Sequence, residues 1–189
     1  MAYTPDTIRH IRLSTATLPL ATAISDAKVF TGRQKPMTEV VFLFAEITTE
    51  QGHEGVGFSY SKRAGGPAQY AHAREVAENA LGEDPNDIAK LYDKLLWAGA
   101  SVGRSGVATQ ALAALDIALY DLKARRARLP LAKLLGAHRD SVRTYNTSGA
   151  SCTPRWRRSP PGRMSRWPPE SAASRSRSAC RTPPRTSAE

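Results

Sequence analysis

The chain has 189 residues and carries 27 Lys and Arg against 17 Asp and Glu, a formal net charge of +10. Residues 151–189 hold nine Arg and two Glu, which leaves 18 cations against 15 acids in the first 150 residues. A basic balance of this size normally points to nucleic acid or an anionic membrane. Here it belongs to the tail alone, and the body reads as one nearly balanced domain with a single core.

The opening "MAYTPDTIRHIRLS" has no apolar run of signal-peptide length, and the longest apolar stretch, Val40 to Ala45, is far shorter than the ~20 residues of a membrane span. The expectation is a cytoplasmic protein with no membrane partner. Cys152 and Cys180 both lie in the tail and say nothing about the fold.

In chain order, Ile8 to Leu18 alternates imperfectly, and Pro19 to Thr38 reads as a long loop. Val40 to Ile47 is a β-branched and aromatic run that predicts a buried strand. Thr49 to Gly52 supplies a turn, and "HEGVGFSYS" returns as its partner, which makes an antiparallel meander. A second loop, Ser59 to Pro67, is rich in Gly and cations. Pro67 to Leu81 predicts a helix stopped by Gly82. Asp84-Pro85 predicts a capped start for the next helix, with Ile88, Leu91, Tyr92 and Leu95 on its apolar face. A third helix is predicted from Gly106 to Arg126, with Val107, Ala111, Leu112, Leu115, Ala118, Leu119 and Leu122 as its stripe; so many alanines imply close packing. Pro130 to Leu135 reads as a helical turn closed by Gly136, and Val142 to Tyr145 as one more strand. The pattern is α+β.

Few residues suggest chemistry. His10, His53, His72 and His138 are scattered without metal-ligand spacing and read as solvated or capped. "GRSGVATQ" lacks the Lys-Ser/Thr ending of a phosphate loop and reads as a helix start. Asp116 and Asp121, in an apolar helix, are expected to pair with cations or cap another segment, and Asp84 and Asp87 to cap. The two loops stand apart. Lys28 on the first and Lys62 and Arg63 on the second leave the same meander and could converge on one anionic group, although cations on polar loops are commonly just solvated.

The segments "SDAKVFTGRQKPMTEV", "GFSYSKRAGG", "LGEDPNDI", "LLWAGASVGRSG" and "LPLAKLLGAHRDSV" resemble the N-terminal capping domain of the enolase superfamily. Within it they are most similar to the acid-sugar dehydratases of the mandelate racemase subgroup that act on talarate and galactarate. The resemblance runs from about residue 8 to 149. It implies an enolase-like cap over residues 1–138, made of a three-stranded antiparallel meander and a helical bundle, then a first strand of a TIM-type barrel over 139–149. In such enzymes the cap closes over a barrel that holds Mg²⁺ through three acidic ligands, a Lys-x-Lys motif and a His-Asp pair. Cap loops choose the substrate, a small acid sugar, and the full-length enzymes are homo-oligomers. Carried over, Asp26, Ala27 and Lys28 in the first loop and Lys62 and Arg63 in the second match substrate-contacting positions, with Asn146 as a further candidate. A racemase or a dehydratase of another aldarate shares the same cap. Catalytic and metal residues are expected to be absent from this chain, which is expected to be inactive.

Residues 150–189 resemble nothing in that barrel. With no Leu, Ile, Val, Phe, Tyr or Lys after Gly149, they cannot build a core and are expected to be disordered. A nucleic-acid-binding arm is one reading. The other is translation in a shifted frame: codons compatible with "ASCTPRWRR" reread as "GFLHTPLAQ" once a G is restored before them, and the codons around Ser174 to Arg177 then spell Lys-x-Lys.

Overall fold

In the computed structural model, residues 5–141 are described, and they follow the α+β order expected. Strand β1 spans Ile8–Ile24, helix α1 Ala27–Phe30, β2 Met37–Thr49 and β3 Glu54–Lys62. Helices α2 (Gly66–Ala77), α3 (Ile88–Ala98), α4 (Val107–Ala127) and α5 (Leu131–Leu134) follow, with short 3-10 turns at Glu78–Ala80 and Ala100–Val102. The strands form one sheet in the order β1-β2-β3, with β2 and β3 antiparallel and Phe44 opposite Phe58. The strand expected at Val142 to Tyr145 lies outside the described residues.

Two boundaries differ from the sequence reading. β1 does not stop at Pro19: its apolar and β-branched residues continue extended to Ile24, and a proline is tolerated there because β1 is an edge strand. β3 likewise continues to Lys62, so Ser59, Ser61 and Lys62 are strand residues and the second loop shrinks to Arg63–Gly65.

The β3 pattern is inverted from the usual one. Its core-facing positions are Gly55, Gly57, Ser59 and Ser61, all buried, while Val56, Phe58 and Tyr60 face outward. The small residues admit α4. A Cβ on Gly55 or Gly57 would fall well inside contact distance of the backbone of Ala118 or Ala114, so helix and strand meet main chain to main chain. Ala114 and Ala118 form this seam, and Ala108 and Ala111 are buried along α4 as well, the close packing their abundance in the sequence implied.

On the remaining faces α4 buries Leu112, Leu115, Leu119 and Leu122 against Leu43, Ala45 and Ile47 of β2, Ala73 and Val76 of α2, and Ile88, Leu91 and Leu95 of α3. Each fully buried leucine contributes roughly 1.5–3 kcal/mol of transfer free energy. Tyr92, expected on the apolar face of α3, is instead 41% exposed. The predicted 67–81 helix ends earlier, at Ala77, and relaxes into the 3-10 turn before Gly82 takes φ +77°. Asp84 does not cap α3. Its Oδ1 accepts from the Asn86 backbone and side-chain nitrogens, both at 2.8 Å, in a turn that delays the helix to Ile88. Asp87 occupies the N-cap position without a side-chain capping bond.

Candidate functional site

The candidates fall in two places. Residues 24–36 belong to the smaller of two compact units, and Lys62 and Arg63 belong to the larger, residues 1–23 and 37–138. Each group is built by its own local geometry.

In the first, Asp26 is the N-cap of α1. Its Oδ1 accepts from the backbone N–H of Lys28 at 3.0 Å and of Val29 at 3.3 Å, which leaves Ala27 and Lys28 in the first turn. The Lys28 carbonyl then accepts from the Arg33 and Gln34 amides at 2.9 and 3.1 Å, and Thr31 Oγ1 donates to Ala27 O at 2.9 Å. What reads as a flexible loop is therefore a short wound segment, and Asp26 fixes the backbone that carries Lys28.

In the second, Lys62 is the last residue of β3 and faces outward, its Nζ 5.5 Å from the centre of the Tyr60 ring. Arg63 takes φ +62°, and the Ala64 amide donates to Lys62 O at 2.7 Å, closing a three-residue turn around the arginine. Gly65, at φ +99°, is the N-cap of α2, and Gly66 has no room for a side chain against Val41. A non-glycine residue at positive φ costs about 1–3 kcal/mol and persists where the surroundings over-determine it. The cations were legible from sequence, but this strained corner was not. Asn146 lies outside the described residues.

The acids of α4 divide. Asp121 Oδ2 accepts from the Val56 amide at 2.9 Å and pairs with Arg125 Nε at 2.8 Å, as expected of a helix acid. Asp116 makes no such bond among the described residues, and burial raises its carboxyl above the usual carboxylate range. Asp6, which sequence reading passed over, is fully buried. It takes His53 Nδ1–H at 2.9 Å and the Gln51 amide at 3.1 Å, with Arg126 Nη1 at 3.5 Å. His72, expected to be solvated or capped, is instead buried on α2, and its Nε2 has no protein partner among the described residues; beside it Gln69 Nε2 donates to Ser59 Oγ. Spacing could have exposed this pair, since Gln69, His72, Ala73 and Val76 share one face.

Among the described residues no three His, Cys, Asp or Glu side chains group as a metal site. No helix among them is long and apolar enough to cross a membrane.

Comparison with known proteins places this fold. Residues 21–136 match the N-terminal domain of the mandelate racemase / muconate lactonizing enzyme family. The L-talarate/galactarate dehydratase of Salmonella typhimurium is 70% identical over 148 residues, 78% of this chain and 37% of the relative. Its crystal structure with Mg and L-lyxarohydroxamate superposes with a TM-score of 0.71 over 74% of this chain and 36% of that one. The L-talarate dehydratase of Polaromonas sp. JS666, complexed with Mg and L-glucarate, gives 0.69 at 70% identity over 73% and 37% of the two chains. This chain thus spans little more than a third of the length of the relatives it matches. The three-stranded meander, the bundle around α4 and these matches together place the chain in the mandelate racemase / muconate lactonizing enzyme family, through its N-terminal domain.

Proposed function

We propose that this chain is the substrate-closing cap of a Mg²⁺-dependent acid-sugar dehydratase of the galactarate and talarate type, and that it has no turnover alone. The observation that carries the reading is the 70% identity over 148 residues to a dehydratase of these sugars. The chemistry is loss of the proton next to a carboxylate, followed by departure of the β-hydroxyl as water. Both substrate ends are anionic, so a cap must offer cations without crowding the reacting carbon. On the larger unit Arg63 forks onto a carboxylate and Lys62 acts as a point charge; on the smaller, Lys28 acts as a point charge next to the small side chain of Ala27. Asp26 holds Lys28 through the cap of α1, and Asn146, outside the described residues, is a further candidate contact. The metal and the proton-transfer groups would come from the part of the relatives that this chain does not span.

A racemase or a dehydratase for another aldarate would use the same cap. The reading of residues 150–189 as an out-of-frame translation stands beside this proposal, and resequencing the gene across the Gly149 codon tests it. Nucleic-acid binding is the lesser reading; it would show as a steep loss of affinity with salt. The substrate role is tested by joining residues 1–148 to the remainder of the Salmonella enzyme. In that chimera Lys28→Ala or Arg63→Ala should raise KM for galactarate roughly 10- to 100-fold, the value of one to two charge-assisted hydrogen bonds. An unchanged KM in both variants contradicts the assignment.

A further inference from the structure

A cleft of about 310 Å³ opens between β1 and α2, within the larger compact unit. That is the lower end of the roughly 300–1,000 Å³ usual for small-molecule sites. The spacing of the sequence builds both walls. Arg9, Ile11 and Leu13 alternate along β1 and so share one face of the strand. Tyr70, Arg74 and Ala77 follow one another by four and three positions on α2 and share one face of the helix. Ile11, Leu13 and Tyr70 are partly buried against the core, which fixes these walls, while Leu81, just past the helix, lines the cleft at 46% exposure.

The charges on the cleft do not balance. Arg9 and Arg74 line it with one acid, Glu78, so one positive charge is left over. Among the described residues neither guanidinium forms an ion pair. Arg74 lies instead over the Tyr70 ring, 5.9 Å from its centre, a contact that restrains the guanidinium and leaves its forked donors for an oxyanion. Two arginines without acid partners, set beside exposed apolar surface, suit a ligand that is anionic at one end and apolar at the other. We propose that this cleft binds a small monoanion with a hydrocarbon body, its carboxylate taken up by Arg9 and Arg74 and its body laid on Ile11, Leu13 and Leu81.

The same features turn away an acid sugar. A single surplus charge matches one carboxylate rather than two, and the apolar side chains offer no partner to a row of hydroxyls, whose desolvation would go uncompensated. The inference is therefore separate from the substrate reading. It makes no use of Lys28, Lys62 or Arg63, and it stands or falls without them.

The test is a ¹H–¹⁵N NMR titration of the 189-residue chain with sodium phenylacetate. Saturable shifts should gather at the amides of residues 9–13 and 70–81, with a Kd of about 0.1–1 mM. Arg9 and Arg74 are both exposed, so Arg9→Gln and Arg74→Gln should each weaken binding about tenfold, the loss of one charge-assisted hydrogen bond, with an unchanged circular dichroism spectrum. Glu78→Gln, which removes the opposing charge, should tighten it about two- to threefold. Acetate, which has the charge without the body, and benzyl alcohol, which has the body without the charge, should each bind at least about tenfold more weakly, and galactarate should leave these amides unmoved. Shifts confined to the Arg-rich residues 151–189 overturn the proposal. So does a Kd unaltered in both arginine variants, or acetate that binds as tightly as phenylacetate.

Discussion

The backbone amide of Val56 donates to Asp121 Oδ2 at 2.9 Å, joining β3 to α4 across 65 positions of sequence. β3 is an edge strand, and this carboxylate occupies an edge donor that would otherwise be open. It also holds Arg125, one turn further along α4. Asp121→Ala should lower stability by about 1–3 kcal/mol, since it removes a charge-assisted acceptor from a backbone donor. Asp121→Asn, which keeps a carbonyl acceptor, should recover part of that loss in a thermal melt.

The same strand and helix meet through Gly57, where any Cβ would collide with the backbone of Ala114 and Ala118. Backbone on both sides cannot yield as a flexible side chain would. Gly57→Ala should therefore cost about 2–4 kcal/mol by overpacking, with loss of cooperativity in the circular dichroism melt.

Acid should find Asp6. Burial alone would raise its carboxyl, but hydrogen bonds from His53, Thr49 and the Gln51 amide, with the charge of Arg126, outweigh burial and hold it below the usual range. The stability it contributes is then complete above the unfolded value near 3.9 and is lost as pH falls through the lower folded value. The melting temperature of the chain should fall steeply below about pH 4, and Asp6→Asn should flatten that slope while lowering stability at pH 7.

Strain at Arg63 gives an opposite sign. Its φ of +62° suits glycine, so Arg63→Gly should raise stability by about 0.5–1 kcal/mol after the added freedom of the unfolded chain is set against the relief. Denaturant melts of the two proteins check this. If the variant is stabilised and also raises KM for galactarate in the chimera, the proposed contact of Arg63 with a sugar carboxylate gains support.

Much of this architecture was legible in the sequence because local pattern and burial agree. The run Val40 to Ile47 and the stripe from Ala111 to Leu122 went where their periodicities pointed. Other parts failed for identifiable reasons. Pro19 looks like a strand breaker, but an edge strand has no partner on one side to lose. Ser59 to Lys62 looks like loop because the usual polarity is reversed, small residues inward and aromatics outward, and only the close approach of α4 makes sense of that order. Asp84 has a capping sequence, yet its nearest donors belong to Asn86. At the candidate site the residue types were readable, whereas the cap at Asp26 and the turn at Arg63 are backbone facts that no composition announces.

The central claim is that these residues form the working cap of an acid-sugar dehydratase. The rate of Mg²⁺-dependent galactarate dehydration by the chimera of residues 1–148 with the remainder of the Salmonella enzyme tests it most directly. The account predicts kcat/KM within about tenfold of the intact Salmonella enzyme and no turnover by the 189-residue chain alone. A folded chimera without activity on galactarate or talarate, or measurable turnover by the 189-residue chain, would contradict it.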